Sequence, residues 1–150
     1  MNSKHFEDIK IKFIEDSDTN IKIVAEPFDR GYAVTVGNAL RRTLMTSVPG
    51  AAITSIKIEG VQHEFSSIEG VLEDVSDIIL NMKEVIFKTI NDGPEQIHLS
   101  LKGPAKFKAK DIGKMLNDFE VLNPNHLIAT LNDKATLDID IRVSRGKGYY

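Results

Sequence analysis

The residue types that most often carry out catalysis are sparse in this 150-residue chain, and they are not grouped. The four histidines are His5, His63, His98 and His126. They fall in four separate segments and lack the paired spacing that a histidine metal site requires. The chain has no cysteine, which excludes disulfides, thiolate zinc sites, iron–sulfur clusters and cysteine nucleophiles. We therefore predict no catalytic residues, no metal site and no cofactor.

Three weaker patterns come into consideration as possible chemical sites. His63 and Glu64 form the one dipeptide suited to acid–base catalysis, but neighbours on an extended chain point to opposite faces. The glycines at residues 31–37 do not have the spacing of a phosphate-binding loop. Asp138 and Asp140 share a strand face and could bind a cation, although solvated carboxylates opposite an apolar face are the ordinary case. A stand-alone enzyme that uses His63 and Glu64 is retained as an alternative hypothesis.

The one basic cluster could bind nucleic acid. It consists of Lys102, Lys106, Lys108, Lys110 and Lys114. Lysines that alternate on a short strand also protect an exposed sheet edge from pairing with other chains, and we favour this interpretation. The formal net charge is −3, so the chain as a whole has no positive field to hold a phosphate backbone. We predict no direct contact of this chain with nucleic acid.

The segment of residues 26–50 has the composition of an interaction element. Pro27 and Gly31 mark a turn, and the Val-Pro-Gly sequence at residues 48–50 cannot continue a helix. The apolar spacing between these signals predicts a helix at residues 33–47.

At 100° per residue this helix has two different faces. The first is small and mostly apolar: Ala33, Val36, Gly37, Leu40, Thr43, Leu44 and Ser47. The second mixes charge with apolar groups: Val34, Asn38, Arg41, Arg42 and Met45. Arginine beside apolar surface is favoured at protein interfaces, although a solvated polar face is the alternative.

The remaining patterns predict an α+β fold with mostly antiparallel strands. Period-2 alternation and turn residues predict a hairpin from strands at residues 8–14 and 21–26. Further strands are predicted at residues 52–58, 127–131 and 135–143, and a second hairpin from residues 85–90 and 97–101. Capping-box spacing at residues 66–69 predicts the start of a second helix that ends at Lys83, and residues 111–119 suggest a short helix.

The sequence has no pattern typical of a membrane segment. The amino terminus lacks the apolar segment of a signal peptide, and no stretch approaches the ~20 apolar residues that span a bilayer.

The carboxyl end, residues 144–150, directly follows a strand of the buried type. We therefore expect the chain to be a fragment of a longer polypeptide.

Seven segments together carry a resemblance to a known family. They are Glu26-Pro-Phe-Asp-Arg-Gly-Tyr32, Gly37-Asn-Ala-Leu-Arg-Arg42, Pro49-Gly-Ala-Ala52, Gly60-Val-Gln-His-Glu-Phe65, Glu73-Asp74, Asn81-Met-Lys83 and Arg145-Gly-Lys-Gly-Tyr149. In this order and spacing, the chain from residue 26 onward resembles the amino-terminal domain of bacterial RNA polymerase alpha subunits. Ala33-Val34 departs from the Gly-His that the family commonly carries at this point.

The resemblance implies a dimerisation domain, a β-hairpin plus helix, that is interrupted by an inserted α+β domain. Residues 1–48 would be the first, incomplete part of the dimerisation domain, and residues 49–150 the insert. The implied function is a non-catalytic, cytoplasmic assembly scaffold of DNA-directed RNA polymerase, a nucleotidyltransferase. An alpha homodimer would recruit the β and β′ subunits for transcription, and catalysis would reside in those larger chains.

The resemblance also implies which residues form the contacts. Arg42 matches an arginine that binds the large subunits, and Arg41 and Met45 share its helical face. Lys83 matches a lysine implicated in β′ contact, although it could also simply complement the carboxyl end of its helix. The expected dimer contacts are Tyr32, Val36, Leu40, Thr43 and Ser47.

Overall fold

The computed structural model describes residues 9–17 and 20–148. The predicted strand start at Asp8 and the turn residues Asp18 and Thr19 lie outside the described residues, as does His5. The chain divides into two compact units, Met1–Thr46 and Ser47–Tyr150, and each is described by itself.

The first unit contains the predicted hairpin and most of the predicted helix. Strands β1 (Lys10–Asp16) and β2 (Ile21–Glu26) are antiparallel, with Lys10 opposite Glu26 and a register shift between Phe13 and Glu15. Helix α1 (Tyr32–Ser47) follows and continues to the first residue of the second unit. Gly31, at φ 88°, supplies the left-handed turn before it, a conformation that glycine adopts without a steric penalty.

The side chains of α1 are all exposed. Met45 keeps 76% of its surface accessible, and even Val36, on the small apolar face, keeps 38%. Most apolar residues of β1 and β2 are also exposed, with Phe13 at 65%, whereas Val24 and Ala25 are half-buried. The expectation that the small apolar face packs against another element therefore stays a prediction.

The second unit is built from antiparallel sheets and two helices. Its strands are β3 (Pro49–Ile58), β4 (Phe87–Thr89), β5 (Glu95–Lys102), β6 (Ala105–Lys108), β7 (Phe119–Val121), β8 (Leu127–Leu131) and β9 (Thr136–Lys147). Its helices are α2 (Val75–Lys83) and α3 (Ala109–Gly113). The central sheet has the order β3-β9-β5, while β4 pairs with β7 and β6 pairs with β8. The mixed α+β class and the antiparallel pairing are as predicted.

The core of the second unit lies on one face of β9. Leu137, Ile139, Ile141 and Val143 alternate along this strand and are completely or almost completely buried. The buried stripe of α2, Val75, Ile78 and Met82, belongs to the same core. Each fully buried side chain of this kind contributes about 1.5–3 kcal/mol to folding by leaving water. The four residues of β9 therefore contribute strongly to the stability of the unit.

The second helix is shorter than predicted, and the predicted capping box is wrong. Residues 66–74 form an irregular loop with a turn at residues 69–70 and a bridge between Val71 and Leu131, and α2 begins only at Val75. Gly70 explains the difference because its φ of 80° is incompatible with a right-handed helix. It also lies so close to a neighbouring turn that a Cβ would be 2.5 Å from the Asn132 side-chain oxygen.

The predicted hairpin between residues 85–90 and 97–101 is also wrong. Both segments contain strands, but β4 pairs with β7 and β5 pairs with β9. The Glu95 carboxylate accepts hydrogen bonds from the backbone N–H groups of Asn117 and Asp118, at 2.8–3.0 Å. These contacts hold the segment before β7 beside the start of β5. Strand β4 therefore pairs with β7, which is farther along the sequence than β5.

The other elements follow the sequence patterns with shifted ends. Strand β8 has the predicted bounds, and β9 extends the predicted last strand to Lys147. Strand β3 begins earlier than expected, since Pro49 and Gly50 pair with Lys147 and Gly146. Helix α3 covers residues 109–113 instead of the predicted 111–119, and Phe119 already belongs to β7. Among the helices that the structure describes, none is long and apolar enough to cross a bilayer.

Candidate functional site

Helix α1 brings Arg41, Arg42 and Met45 together on one side. With 3.6 residues per turn, Arg41 and Met45 lie one turn apart and Arg42 flanks them. The three side chains line an open surface depression together with Ala39, Thr43 and Thr46, so Thr43 borders both this depression and the expected dimer residues. The Thr46 hydroxyl donates to the Arg42 carbonyl oxygen at 2.7 Å. None of the ion pairs found among the described residues involves either arginine. Two guanidinium groups beside an exposed methionine can therefore bind a carboxylate-rich, partly apolar protein surface.

The expected dimer residues form a stripe on the other side of the same helix. The positions are Tyr32, Val36, Leu40, Thr43 and Ser47, which fall within about a quarter of the helix circumference at 100° per residue. Tyr32 and Leu40 are more than half exposed. Exposed apolar side chains arranged in one patch are typical of an interaction surface. The helix thus presents two different faces, one apolar and one basic.

Lys83 belongs to the second unit and is the last residue of α2. Its side chain is exposed, and its cationic group complements the negative end of the helix dipole. The structure therefore places the predicted large-subunit residues on two elements, with Arg41, Arg42 and Met45 on α1 and Lys83 on α2.

Sequence reasoning missed the residues that hold the end of α2. The His126 Nε2–H donates to the Asn81 carbonyl oxygen at 2.8 Å, and the same nitrogen lies 3.8 Å from the Glu84 carboxylate. The Asn123 side-chain amide donates to the Glu84 carbonyl oxygen at 2.9 Å and accepts from the Ile86 N–H at 2.8 Å. The turn-forming sequence at residues 123–126 was a detectable signal, but nothing in it identifies α2 as its partner.

His63 and Glu64 lie in the loop between β3 and α2. The His63 ring nitrogen Nδ1 is 3.3 Å from the Ser66 hydroxyl, and both His63 and Glu64 are exposed. They border a shallow groove of about 230 Å³ whose apolar wall includes Val75 and Ile79. Within residues 9–17 and 20–148, no group of three His, Asp or Glu side chains is arranged to hold a metal ion.

The remaining charged candidates are dispersed or paired. Asp140 is 2.8 Å from the His98 ring across the β5–β9 pair, which gives this carboxylate a protein partner. The lysine cluster is spread over β5, β6, α3 and the residue after α3, Lys114, which is 3.9 Å from Asp111. Strand β6, which carries Lys106 and Lys108, is paired in the described structure only with β8. Its open edge favours the interpretation that these lysines protect a sheet edge.

Comparison with known proteins gives one consistent family. Residues 56–150 match the family described as the RNA polymerase Rpb3/RpoA insert domain. The DNA-directed RNA polymerase subunit alpha of Chloroherpeton thalassium is 58% identical over 128 residues, which cover 85% of this chain and 39% of that protein. The subunit of Prosthecochloris aestuarii is 52% identical over 143 residues, covering 95% and 44%, and that of Salinibacter ruber 50% over 135 residues, covering 90% and 41%. The chain thus spans about two fifths of the length of these relatives.

Proposed function

Because the chain belongs to the bacterial alpha-subunit branch of the RNA polymerase Rpb3/RpoA insert-domain family, we propose that it is an assembly scaffold of DNA-directed RNA polymerase. The observation that carries the proposal is the family match over residues 56–150, together with identities of 50–58% to named alpha subunits. In this function the chain joins a multisubunit nucleotidyltransferase and does no chemistry itself. It acts in the cytoplasm and makes no direct contact with nucleic acid or membrane.

The apolar stripe of α1 is the proposed dimer contact. A 16-residue helix with no buried side chain leaves Val36 and Leu40 in water, which is unfavourable unless another surface covers them. In the symmetric dimer that we propose, the same stripe of a second copy would cover them, since a two-fold interface uses one patch twice. Tyr32, Thr43 and Ser47 extend this stripe over four turns of the helix.

The basic side of α1 is the proposed contact for the large subunits. Arg41 and Arg42 supply planar guanidinium groups that bind carboxylates in a bidentate manner, and Met45 adds adaptable apolar surface. Because this side is opposite the dimer stripe on the helix, one copy of α1 can use both contacts at once. Lys83 at the end of α2 is the proposed contact for β′.

The experiment that tests the proposal uses the full-length chain with the β subunit. In gel filtration, Arg42→Ala is expected to weaken the complex by about tenfold or more, the effect of removing an arginine at a binding hot spot. Arg142→Ala is the matched control, since Arg142 is an exposed arginine on β9 outside the proposed contacts. Undiminished binding of Arg42→Ala would contradict the assigned role.

A further inference from the structure

The carboxyl-terminal turn of α2 is held by groups from outside the helix. A helix leaves its last four carbonyl groups without intrahelical partners. In α2 the Asn81 carbonyl accepts the Glu84 N–H at 3.2 Å, and the Met82 carbonyl accepts the Val85 N–H at 3.2 Å. The His126 Nε2–H adds a second and shorter bond of 2.8 Å to the Asn81 carbonyl. One side chain from a separate loop therefore fixes the turn that contains Lys83.

Asn123 fixes the chain directly after Lys83. Its amide nitrogen donates to the Glu84 carbonyl oxygen at 2.9 Å, and its amide oxygen accepts from the Ile86 N–H at 2.8 Å. Because the two ends of one planar amide bind two backbone groups, residues 84–86 have one favoured orientation. Leu122 continues this pairing with a hydrogen bond of 2.9 Å to the Ile86 carbonyl.

The loop that carries Asn123 and His126 is itself held in place. The His126 N–H donates to the Asn123 carbonyl at 3.1 Å. The N–H groups of Ala109 and Lys110, at the start of α3, donate to the carbonyls of His126 and Pro124 at 2.9 Å each. The loop is therefore hydrogen-bonded both to the start of α3 and to the end of α2.

We infer that Asn123 and His126 are positioning residues that fix the backbone from which the exposed Lys83 side chain reaches its partner. The inference rests on the proposed contact between Lys83 and β′. Neither residue needs to touch the partner, because both act on the backbone on either side of Lys83. A fixed starting point for a long, flexible side chain reduces the conformational freedom that binding would otherwise remove, which favours the complex.

A double-mutant cycle with the full-length chain and isolated β′ tests this inference. Lys83→Ala is expected to weaken affinity by about tenfold, and His126→Ala by about fivefold, the effect of roughly one hydrogen bond. The double variant is expected to bind no more weakly than Lys83→Ala, since His126 acts only through Lys83. His126→Gln is expected to restore affinity to within about twofold, because its amide can donate to the Asn81 carbonyl.

Two further variants separate positioning from general stability. Asn123→Asp keeps the acceptor for Ile86 but loses the donor to Glu84, and is expected to weaken affinity by about threefold. Asn117→Ala is the control, because it removes a 3.1 Å side-chain bond to Glu95 elsewhere in the unit and is expected to leave affinity unchanged. Thermal unfolding of every variant shows whether it remains folded at the assay temperature.

The possible results separate failure of the inference from failure of the proposed contact. If Lys83→Ala weakens binding but the His126 and Lys83 effects add, the two residues act independently and the inference is overturned. Loss of affinity in Asn117→Ala to the same degree as in His126→Ala would overturn it too. If Lys83→Ala leaves affinity unchanged, the proposed β′ contact fails and the inference fails with it.

Discussion

The carboxylate of Glu73 binds Thr130 through two hydrogen bonds, 2.6 Å from the backbone nitrogen and 3.0 Å from the hydroxyl. Backbone bonds on either side align the same segments, since Leu72 donates to the Thr130 carbonyl and Asn132 donates to the Gly70 carbonyl. The loop before α2 is therefore attached to β8, and Glu73 is its principal side-chain link.

Replacing Glu73 is expected to destabilise the fold. Glu73→Ala leaves a half-buried N–H and hydroxyl without their partner, which costs about 1–3 kcal/mol in the free energy of unfolding. Urea denaturation measures this loss. Glu69→Ala, at an exposed position in the same loop, is the control and is expected to change stability by less than about 0.5 kcal/mol. Equal effects of the two substitutions would show that the Glu73 bonds contribute nothing specific.

Gly70→Ala and Gly60→Ala form a matched pair that separates backbone strain from steric clash. Both glycines have a positive φ, 80° and 77°, so alanine at either site lowers the free energy of unfolding by about 1–2 kcal/mol. Only at Gly70 would the new Cβ also lie 2.7 Å from the backbone nitrogen of Ala135, whereas Gly60 has no heavy atom within 4 Å. Gly70→Ala is therefore expected to lower the thermal midpoint clearly more than Gly60→Ala. Equal shifts would contradict the close approach at Gly70.

The chain is expected not to bind duplex DNA at physiological salt. Its net charge is −3, and its lysine cluster is divided between three elements instead of following one groove. Fluorescence anisotropy with labelled duplex DNA, measured at several salt concentrations, checks this expectation. Phosphate binding would appear as an affinity that falls steeply with salt. Submicromolar affinity at about 150 mM salt would instead support the nucleic-acid interpretation of the lysines.

Local sequence patterns predicted the elements better than their connections. Alternation at residues 135–143 was sufficient to identify β9 because a strand with one buried face has a strict period of two. The start of α2 was misplaced because the apolar spacing continues through Gly70, where a close tertiary contact requires a left-handed turn. The pairing of β4 was misassigned because the Glu95 carboxylate holds residues 117–118, which are more than 20 residues farther along the sequence. A local sequence pattern cannot reveal such a contact.

From the sequence, candidate contact residues could be grouped only where a single helix carries them. Arg41, Arg42 and Met45 could be grouped because helical periodicity alone places them on one side of α1. Asn123 and His126 could not be linked to Lys83, since their relationship depends on a loop that folds back onto α2. The resemblance implied a contact role for Lys83, but the side chains that hold the backbone around it became visible only in the three-dimensional structure.

In the proposed function, α1 has a dimer face and a separate large-subunit face. The most direct test measures both properties of two variants of the full-length chain by analytical ultracentrifugation, alone and with the β subunit. Leu40→Asp is expected to become monomeric, while Arg42→Ala is expected to stay dimeric and to lose β. A dimeric Leu40→Asp, or an Arg42→Ala variant that binds β as the unmodified chain does, would contradict it.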